Sequence, residues 1–599
     1  MNTITVAHDM SDTLLERMRV KYRTERDKRL RPDGRRQFTL PEEVLSRLTC
    51  DPNANPVERE PLTDKVDAIV IGGGFGGLMA GARLRQLGFD RVRIVDQASD
   101  VGGTWYWNRY PGARCDIESY IYMPLLEETG YMPTEKFVTG TELLDHARRI
   151  ANHFDLYRDA CFDTQVTKME WDASDSVWIV HSTRGDRMRA RFAFVAPGPL
   201  QRAHLPDIRG ITDFQGHSFL TSRWDFEYTK GDVLGGLAGL SDKRVALIGT
   251  GATGVQVAPL LAEYSKHLYV VQRTPTPVGP RPNPPTDPEW ARSLEPGWQE
   301  RRMRNFAAIT NGVPQDVDLV DDEWTHHFAK FHAAVASVGD PKEKALAAER
   351  ADLARDEYIR GHVSQMVIDP DVAEKLKHYY RYFCKRPTFS AAYLQAFNRP
   401  NVTLVDTDGR GPDRMTEKGI VFDGVEYEVD CIIFASGFAF DADYHVRSGF
   451  PIIGRGGLTL EEKWKDGVRT LHSANTNGFP NLFLVGVGAQ GGYYLNFINK
   501  LDQDLKIVTH TLEHMLRTAK AVVEPTKEAE DAWVEEIKRL AVIDMDYLNA
   551  CTPGQYNNWG EARLDIFRQN SGYGLGPIAL EKVLQDWRDD GGLKGLSFS

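Results

Sequence analysis

The chain has 599 residues, enough for about three or four domains at roughly 150 residues each. Apolar residues make up 41% and charged residues 26% of it, which is typical of a globular protein with an ample core. The formal net charge of -12 argues against a nucleic-acid-binding protein, which would need a dominant basic face.

Membrane and secretion signals are weak. No apolar run approaches the roughly eighteen residues that a membrane span needs. The first ten residues carry Asp9 and no basic cluster, which disfavours a signal peptide. We therefore expect a cytoplasmic protein without a membrane or nucleic-acid partner, present as a monomer or a homodimer.

Six cysteines are spread along the chain without a C-x-x-C pair: Cys50, Cys115, Cys161, Cys384, Cys431 and Cys551. This spacing argues against a disulfide framework, a redox-active dithiol and a zinc site, and we expect no metal site of any kind.

Residues 1–62 precede the first predicted strand as an N-terminal extension. Residues 16–36 are crowded with basic side chains interleaved with acidic ones. Apolar residues recur there at roughly helical spacing: Leu14, Leu15, Met18 and Tyr22. We predict a solvated helix that lies across the body of the protein, in preference to a binding function.

The first βαβ unit begins at Val66, where a buried-strand pattern runs directly into a glycine-rich turn and a helix. Gly72, Gly74 and Gly77 fit G-x-G-x-x-G, in which the glycines permit a tight turn, close approach of the backbone to a pyrophosphate, and close helix packing. The next strand ends in Asp96, placed to accept hydrogen bonds from a ribose.

A loop at residues 102–116 follows this unit and combines glycines, aromatic residues, two arginines and a closing carboxylate. Glycines let the backbone approach a ligand, and indoles offer flat apolar walls. We predict a cofactor loop, with contacts from these residues and one just beyond them: Gly103, Thr104, Trp105, Asp116 and Tyr122.

A second βαβ unit places Gly249, Gly251 and Gly254 after a strand, with Thr253 among them. Its next strand ends at Arg273, followed by Thr274. An offset of 24 separates Gly72 from Asp96 and also Gly249 from Arg273. An acid at this position suits a free ribose 2′-hydroxyl, whereas an arginine accommodates a 2′-phosphate. The pattern therefore predicts FAD in the first unit and NADPH in the second.

These units predict an α/β fold of two Rossmann-like dinucleotide-binding domains with a helical insertion in the NADP domain. The predicted boundaries are 1–62 for the extension, 63–210 and 436–599 for the FAD domain with the C-terminal segment, 211–282 and 381–435 for the NADP domain, and 283–380 for the insertion.

The run from Gly102 to Asp116 fits Gly-Gly-x-Trp-x-x-x-x-Tyr-Pro-Gly-x-x-x-Asp without a departure. It resembles the signature of the type I Baeyer-Villiger monooxygenases, and the resemblance covers about residues 63–560. It implies an FAD-dependent enzyme that uses NADPH and O2 through a flavin peroxide to insert one oxygen next to a ketone carbonyl, giving an ester or lactone. The extension and Tyr556-Asn557-Asn558 look like a subgroup that acts on large cyclic ketones.

The same resemblance assigns residue roles. Arg386 occupies the position of the family's catalytic arginine, and Asp116 the position of the aspartate that pairs with it. A guanidinium stays protonated at any working pH and donates fixed hydrogen bonds to an anion. Lys385 and Arg273 lie at the family's two contacts to the 2′-phosphate.

Two positions depart from the family pattern. A second family fingerprint, Phe-x-Gly-x-x-x-His-x-x-x-Trp followed by Pro or Asp, is matched here at Phe214, Gly216, Trp224 and Asp225, but Leu220 stands at the histidine position. Either packing holds this linker or the nearby His217 takes a different route to the same role. Asp546 stands where relatives have a tryptophan that contacts the nicotinamide nucleotide. Tyr493 and Tyr494 either line the substrate pocket or pack in the core.

Two alternatives remain at this point. An N- or S-oxygenating flavin monooxygenase shares the two nucleotide units, but Trp224-Asp225 and the complete loop at residues 102–116 disfavour it. A non-catalytic NADP(H)-binding flavoprotein is disfavoured by the presence of Asp116, Lys385 and Arg386.

Overall fold

The computed structural model describes residues 12–38, 42–440 and 443–599, so the signal-peptide prediction for the first ten residues lies outside the described part. The strands are, in chain order, β1 (Lys65–Ile71), β2 (Val92–Val95), β3 (Val166–Asp172), β4 (Val177–Ser182), β5 (Arg187–Val195), β6 (His217–Leu220), β7 (Arg244–Ile248), β8 (His267–Gln272), β9 (Val278–Gly279), β10 (Thr388–Phe389), β11 (Val402–Asp406), β12 (Arg414–Met415), β13 (Gly419–Phe422), β14 (Val425–Glu428), β15 (Cys431–Phe434), β16 (Ile452–Ile453), β17 (Leu482–Leu484), β18 (Val523–Pro525) and β19 (Leu596–Phe598).

The α-helices are α1 (Asp12–Asp27), α2 (Glu42–Thr49), α3 (Phe75–Gln86), α4 (Thr104–Trp107), α5 (Ser119–Tyr122), α6 (Leu126–Thr129), α7 (Gly140–His153), α8 (Phe226–Thr229), α9 (Ala252–Tyr264), α10 (Pro288–Ser293), α11 (Trp298–Thr310), α12 (Glu323–Ala336), α13 (Pro341–Met366), α14 (Pro370–Leu376), α15 (Tyr393–Ala396), α16 (Tyr444–Ser448), α17 (Leu460–Lys463), α18 (Phe497–Thr518), α19 (Lys527–Leu540), α20 (Met545–Ala550), α21 (Leu564–Gln569) and α22 (Pro577–Asp589). Short 3-10 helices lie at Gly34–Phe38, Thr221–Arg223, Ala238–Leu240, Tyr382–Cys384, Arg455–Gly457 and Gln555–Gly560.

A seven-stranded sheet contains the first glycine-rich unit. Its order is β16-β3-β4-β5-β1-β2, and β17 pairs with the last residues of β5, beyond the part that pairs with β4. The strands β1, β2, β5 and β17 run parallel, and β3 to β5 form an antiparallel meander. Residues 68–70 of β1 are fully buried, as expected for a parallel strand covered on both faces.

A five-stranded parallel sheet contains the second unit, in the order β11-β8-β7-β15-β6. Residues 245–247 of its central strand β7 are fully buried, and α9 follows β7 through the second glycine turn. Both predicted βαβ units are therefore present, and the predicted fold class is confirmed.

The insertion consists of α10 to α14, which lie between the paired short strands β9 and β10. The longest of these helices, α13, is capped by Asp340, whose side chain accepts hydrogen bonds from the N–H groups of Lys342 and Glu343, with Pro341 at the first helical position. The extension helix α1 lies against α13, where Leu15 and Met18 pack on Leu353. The predicted extension helix is present, with one apolar face buried.

The prediction that the cysteines form no disulfide is wrong for one pair. Cys384 and Cys551 are bonded, with Cα atoms 5.2 Å apart despite a sequence separation of 167. Spacing along the chain could not reveal this pair, because the fold alone brings the 3-10 helix at Tyr382–Cys384 against the end of α20. The other four cysteines are free.

In the part of the chain that the structure describes, no helix is both long and apolar enough to cross a bilayer.

Candidate active site

A cavity of about 910 Å³ lies at the carboxyl ends of the parallel strands of both sheets. Ligands bind at this edge in open α/β folds. The cavity brings together most of the predicted site residues: Gly72, Gly74, Asp96, Gly103, Thr104, Trp105, Asp116, Tyr122, Gly249, Gly251, Thr253, Arg273, Thr274, Lys385 and Arg386. The remaining two, Gly77 and Gly254, lie behind the glycine turns.

The first glycine turn leaves no room for side chains. Gly72 has φ +109°, and a Cβ on Gly77 would lie 1.8 Å from the carbonyl oxygen of Gly72. A Cβ on Gly103, in the neighbouring loop, would lie 2.6 Å from the Cα of Gly74. Two loops of bare backbone thus meet at the amino end of α3, and this arrangement fits the pyrophosphate of FAD.

Asp96 lies at the end of β2, facing the cavity. Its carboxylate accepts hydrogen bonds from the N–H groups of Gly73 at 2.5 Å and Ala98 at 2.8 Å. Burial raises the pKa of Asp96, and these backbone donors oppose that rise. The carboxylate is thus fixed at the cavity wall, and Trp105 and Tyr122, which also line the cavity, form an edge-to-face pair with ring centroids 5.9 Å apart.

The second glycine turn repeats this geometry. Gly249 has φ +112°, and a Cβ on Gly254 would lie 2.2 Å from the carbonyl oxygen of Gly249. A Cβ on Gly251 would meet nothing within 4 Å, so its backbone borders open cavity. This turn fits the pyrophosphate of NADP(H).

Arg386 and Asp116 form an ion pair between the two halves of the cavity. Nη2 and Nε of Arg386 donate to the two carboxylate oxygens of Asp116 at 2.6 and 3.3 Å. The arginine side chain is 37% exposed and the aspartate 14%. Burial lowers the pKa of Arg386, but the Asp116 carboxylate outweighs it and holds that pKa well above its ordinary value. The guanidinium is therefore a permanent cation that faces the cavity.

Trp324 of the insertion supports this pair, and no motif in the sequence pointed to this tryptophan. Its indole N–H donates to the carbonyl oxygen of Asp116 at 2.8 Å. The guanidinium carbon of Arg386 lies 5.4 Å from the centroid of the Trp324 ring, within cation–π range. Because α12 carries Trp324, the insertion contributes directly to the position of the pair.

Arg273 and Lys385 form a second cationic group in the part of the cavity that contains the second glycine turn, called the NADP half below. Burial first, and then the charges of Arg31 and Arg29, lower the pKa of Arg273 to about 10. Burial, then Arg273 and Arg29, lower the pKa of Lys385 to about 7. The Lys385 ammonium donates to the carbonyl oxygen of Pro553 at 2.9 Å. Such crowding of cations fits a polyanionic ligand.

At the linker position where relatives have histidine, the structure shows both apolar packing by Leu220 and a polar contact by His217. Leu220 is buried at the end of β6 among apolar side chains of the second sheet. His217 stacks on Tyr228, and its Nε2 lies 2.9 Å from a carboxylate oxygen of Asp225, which also caps α8. Packing therefore holds the linker, and His217 fixes the aspartate of the fingerprint.

The tryptophan departure has a different resolution. Asp546 is exposed, but Trp559, further along the chain, lines the cavity. Its ring centroid lies 5.7 Å from the guanidinium carbon of Arg273 and 5.9 Å from Nζ of Lys385. The stretch that carries the subgroup resemblance, Tyr556-Asn557-Asn558, ends one position short of Trp559. Tyr493 and Tyr494 both line the cavity.

Curated relatives match this chain in sequence over nearly their full length. A family model described as pyridine nucleotide-disulphide oxidoreductase matches residues 66–359. Pentalenolactone D synthase of Streptomyces exfoliatus is 51% identical over 97% of this chain and 100% of its own. A Baeyer-Villiger monooxygenase of Streptomyces coelicolor is 45% identical over 98% of this chain and 97% of its own.

A solved structure agrees with these relatives. The polycyclic ketone monooxygenase of Thermothelomyces thermophila superposes with a TM-score of 0.91 at 37% identity, over 98% of this chain and 99% of that one. The two glycine turns fit FAD and NADP(H), which solved complexes of similar proteins contain. The chain therefore belongs to the Baeyer-Villiger monooxygenases, the FAD- and NADPH-dependent enzymes that insert an oxygen atom next to a ketone carbonyl.

Proposed function

We propose that Arg386, held by Asp116, is the catalytic residue, and that the remaining predicted site residues bind the two dinucleotides as assigned from the sequence. One observation carries this proposal: the Arg386–Asp116 pair faces the cavity at the junction of its FAD and NADP halves. The net reaction consumes a ketone, O2, NADPH and a proton and yields an ester or lactone, NADP+ and water.

FAD and NADPH, when bound, supply the reducing equivalents and activate the oxygen. The protein's own part is electrostatic. Among the described residues, Asp116 occupies Nε and Nη2 of Arg386, so Nη1 remains to donate a hydrogen bond to negative charge that develops on the ketone oxygen. Asp116 fixes the orientation of the guanidinium, and Trp324 fixes the backbone of Asp116.

We further propose that the substrate is a bulky or polycyclic ketone and the product a lactone. Two similar proteins support this class through their names, pentalenolactone D synthase and polycyclic ketone monooxygenase. Tyr493 and Tyr494 border the cavity and are suited to contact an apolar ring system. The cytoplasmic location and the monomeric or dimeric state stay predictions.

The test replaces Arg386 by alanine in the FAD-loaded enzyme. Loss of the guanidinium removes charge stabilisation of the reacting oxygen, so lactone formation should fall at least about 100-fold. NADPH oxidation should continue, with hydrogen peroxide released instead, and the FAD content should not change. Mass spectrometry of the products measures the lactone, and a peroxide assay measures the hydrogen peroxide.

Arg244→Ala is the matched control, because Arg244 also uses Nε and Nη2 to bind one aspartate, Asp430, but lies at the start of β7 and does not line the cavity. This variant should form lactone at the normal rate. Normal lactone formation by Arg386→Ala would refute the catalytic role.

A further inference from the structure

The segment after the extension helix meets the NADP half of the cavity at the end of β8. Nε of Arg29 donates to the hydroxyl oxygen of Thr274 at 3.1 Å. Nη1 of Arg273 donates to the side-chain oxygen of Gln37 at 2.7 Å. Two adjacent residues that the sequence assigns to the coenzyme are thus each held by a side chain from the extension.

Both side chains, Arg29 and Gln37, are buried and are held by hydrogen bonds within the extension. The Arg29 side chain is 8% exposed, and its Nη1 donates to the carbonyl and to the carboxylate of Glu25, both at 2.7 Å. Gln37 is 7% exposed, and its amide nitrogen donates to the carbonyl oxygen of Gly34 at 2.6 Å. The extension therefore presents two fixed groups to the end of β8.

The extension is in turn fixed to the insertion. In addition to the apolar contact of α1 with α13, the Tyr22 hydroxyl donates to a carboxylate oxygen of Asp356 at 2.6 Å. Arg19 pairs with Glu349 at 2.5 Å. These contacts place residues 29–38 in one position relative to the second sheet.

The hydrogen bond from Arg29 determines how the Thr274 hydroxyl can interact with a ligand. A hydroxyl has one hydrogen to donate, and Oγ1 of Thr274 already accepts from Arg29. The hydroxyl hydrogen is thereby left to donate towards the cavity, which Thr274 lines. The neutral oxygen of Gln37 holds one nitrogen of Arg273 without cancelling its charge, so the guanidinium keeps its other donors for an anion. Arg31 adds a further cation at the cavity wall, paired with Asp33.

We propose that residues 29–38 of the extension form the positioning layer of the 2′-phosphate subsite and set the selectivity of this enzyme for NADPH over NADH. Arg29, which is not part of the cavity lining, acts through Thr274, whereas Gln37 acts through Arg273 and itself borders the cavity. The inference rests on the proposed placement of the 2′-phosphate at Arg273.

The first test is Gln37→Glu, measured by calorimetric titration of the oxidised FAD enzyme with NADP+ and with NAD+. Glutamate still accepts the hydrogen bond from Arg273 but adds a negative charge beside the phosphate, and like charges at a binding site are strongly repulsive. Kd for NADP+ should rise at least about tenfold, while Kd for NAD+ stays within about twofold. A merely structural role of Gln37 would change both constants equally or neither, and either result would overturn the inference.

The second test is Arg29→Gln. Its partner Glu25 keeps Lys21 at 3.3 Å and Lys28 at 3.1 Å, so no unpaired carboxylate remains. We expect Kd for NADP+ to rise about tenfold with Kd for NAD+ unchanged, because the Thr274 hydroxyl loses the hydrogen bond from Arg29 that orients it. Arg17→Gln is the matched control: it removes the same charge from an exposed position on α1 and should leave both constants unchanged.

Arg273→Ala separates this inference from the placement on which it rests. If Arg273→Ala loses the preference for NADP+ but neither extension variant does, only the role of the extension is wrong. If Arg273→Ala keeps the preference, the 2′-phosphate does not lie there, and both the placement and the inference are refuted.

Discussion

Arg386 and Lys385 are neighbours in sequence but differ in electrostatic environment. Arg386 has a carboxylate partner in Asp116, whereas Lys385 is crowded by Arg273 and Arg29 and donates only to a neutral carbonyl among the described residues. The arginine is therefore charged at every working pH, and the lysine titrates near neutrality. Arg386 therefore carries a constant positive charge, whereas Lys385 is fully protonated above pH 7 only when an anionic ligand is bound beside it.

This difference predicts a pH dependence of coenzyme binding. Burial and the nearby cations lower the pKa of Lys385 to about 7 in the empty site, so the ammonium loses its proton as the pH rises above 7. The 2′-phosphate favours the protonated form, so binding above pH 7 must take up a proton. Between pH 7 and 8.5 the Kd for NADP+ should rise by up to about tenfold per pH unit.

Calorimetry in buffers of different ionisation enthalpy measures this proton uptake directly. Kd for NAD+ should stay flat over the same range, and Lys385→Arg should flatten the NADP+ curve because arginine does not titrate there. Equal slopes for NADP+ and NAD+ would contradict the assignment of Lys385 to the phosphate.

Trp324→Phe tests the support of the catalytic pair. Phenylalanine keeps an aromatic face near Arg386 but loses the indole N–H that donates to the carbonyl oxygen of Asp116. Loss of one hydrogen bond of about 1 kcal/mol should lower kcat for lactone formation about fivefold. FAD content and the Kd for NADP+ should not change, and a variant with unaltered kcat would show that the bond does not position the pair.

At the scale of elements, the segment at residues 545–560 closes one side of the cavity. It carries Trp559, the carbonyl of Pro553 that accepts from Lys385, and Cys551, which is bonded to Cys384. The disulfide therefore tethers this segment to the residue directly before Lys385. The aligned position of the relatives' tryptophan holds the exposed Asp546, and the tryptophan that lines the cavity, Trp559, comes from the 3-10 helix at Gln555–Gly560.

The tether predicts an effect of Cys551→Ser. A cross-link over 167 residues restricts the unfolded chain, and its removal should cost about 2–4 kcal/mol. Thermal unfolding of the FAD enzyme should shift to lower temperature, whereas Cys50→Ser, a change at an exposed free thiol, should not shift it. Peptide mapping without reductant should recover the Cys384–Cys551 pair, and free thiols at both positions would contradict the bond.

At the scale of the whole molecule, the NADP half of the cavity is assembled from parts that are distant in sequence. The extension supplies Arg29 and Gln37, the second sheet supplies Arg273, and the C-terminal segment supplies Trp559. The insertion joins them, since α13 is the surface on which α1 lies. Coenzyme affinity should therefore depend on contacts far from the coenzyme.

Met18→Asp tests this dependence. Met18 is 6% exposed against α13, and an unpaired carboxylate there should weaken the packing of α1 on α13 by at least about 2 kcal/mol. Trypsin should then cut within residues 17–36 faster, and Kd for NADP+ should rise as it does for Arg29→Gln. Val20→Asp, at a position that is 51% exposed on the same helix, should change neither. Unchanged NADP+ binding in a variant with a released extension would refute the coupling.

The sequence by itself determined the two βαβ units, their glycine turns, and the positions of Asp96 directly after β2 and Arg273 directly after β8; that these two residues and the loop with Asp116 contact the dinucleotides stays a prediction. These features are local: strand, turn and helix lie within about thirty residues, so their spacing carries the geometry. Arg386 and Lys385 followed from resemblance to a family. The domain boundaries stay predictions.

Only the tertiary structure decided the disulfide, the support of Asp116 by Trp324, the position of Trp559 beside Arg273, and the contacts of Arg29 and Gln37 with the end of β8. Each joins positions more than 160 residues apart. No periodicity or motif spacing encodes such pairs, because they exist only after hydrophobic burial has packed the extension, the insertion and the two sheets together.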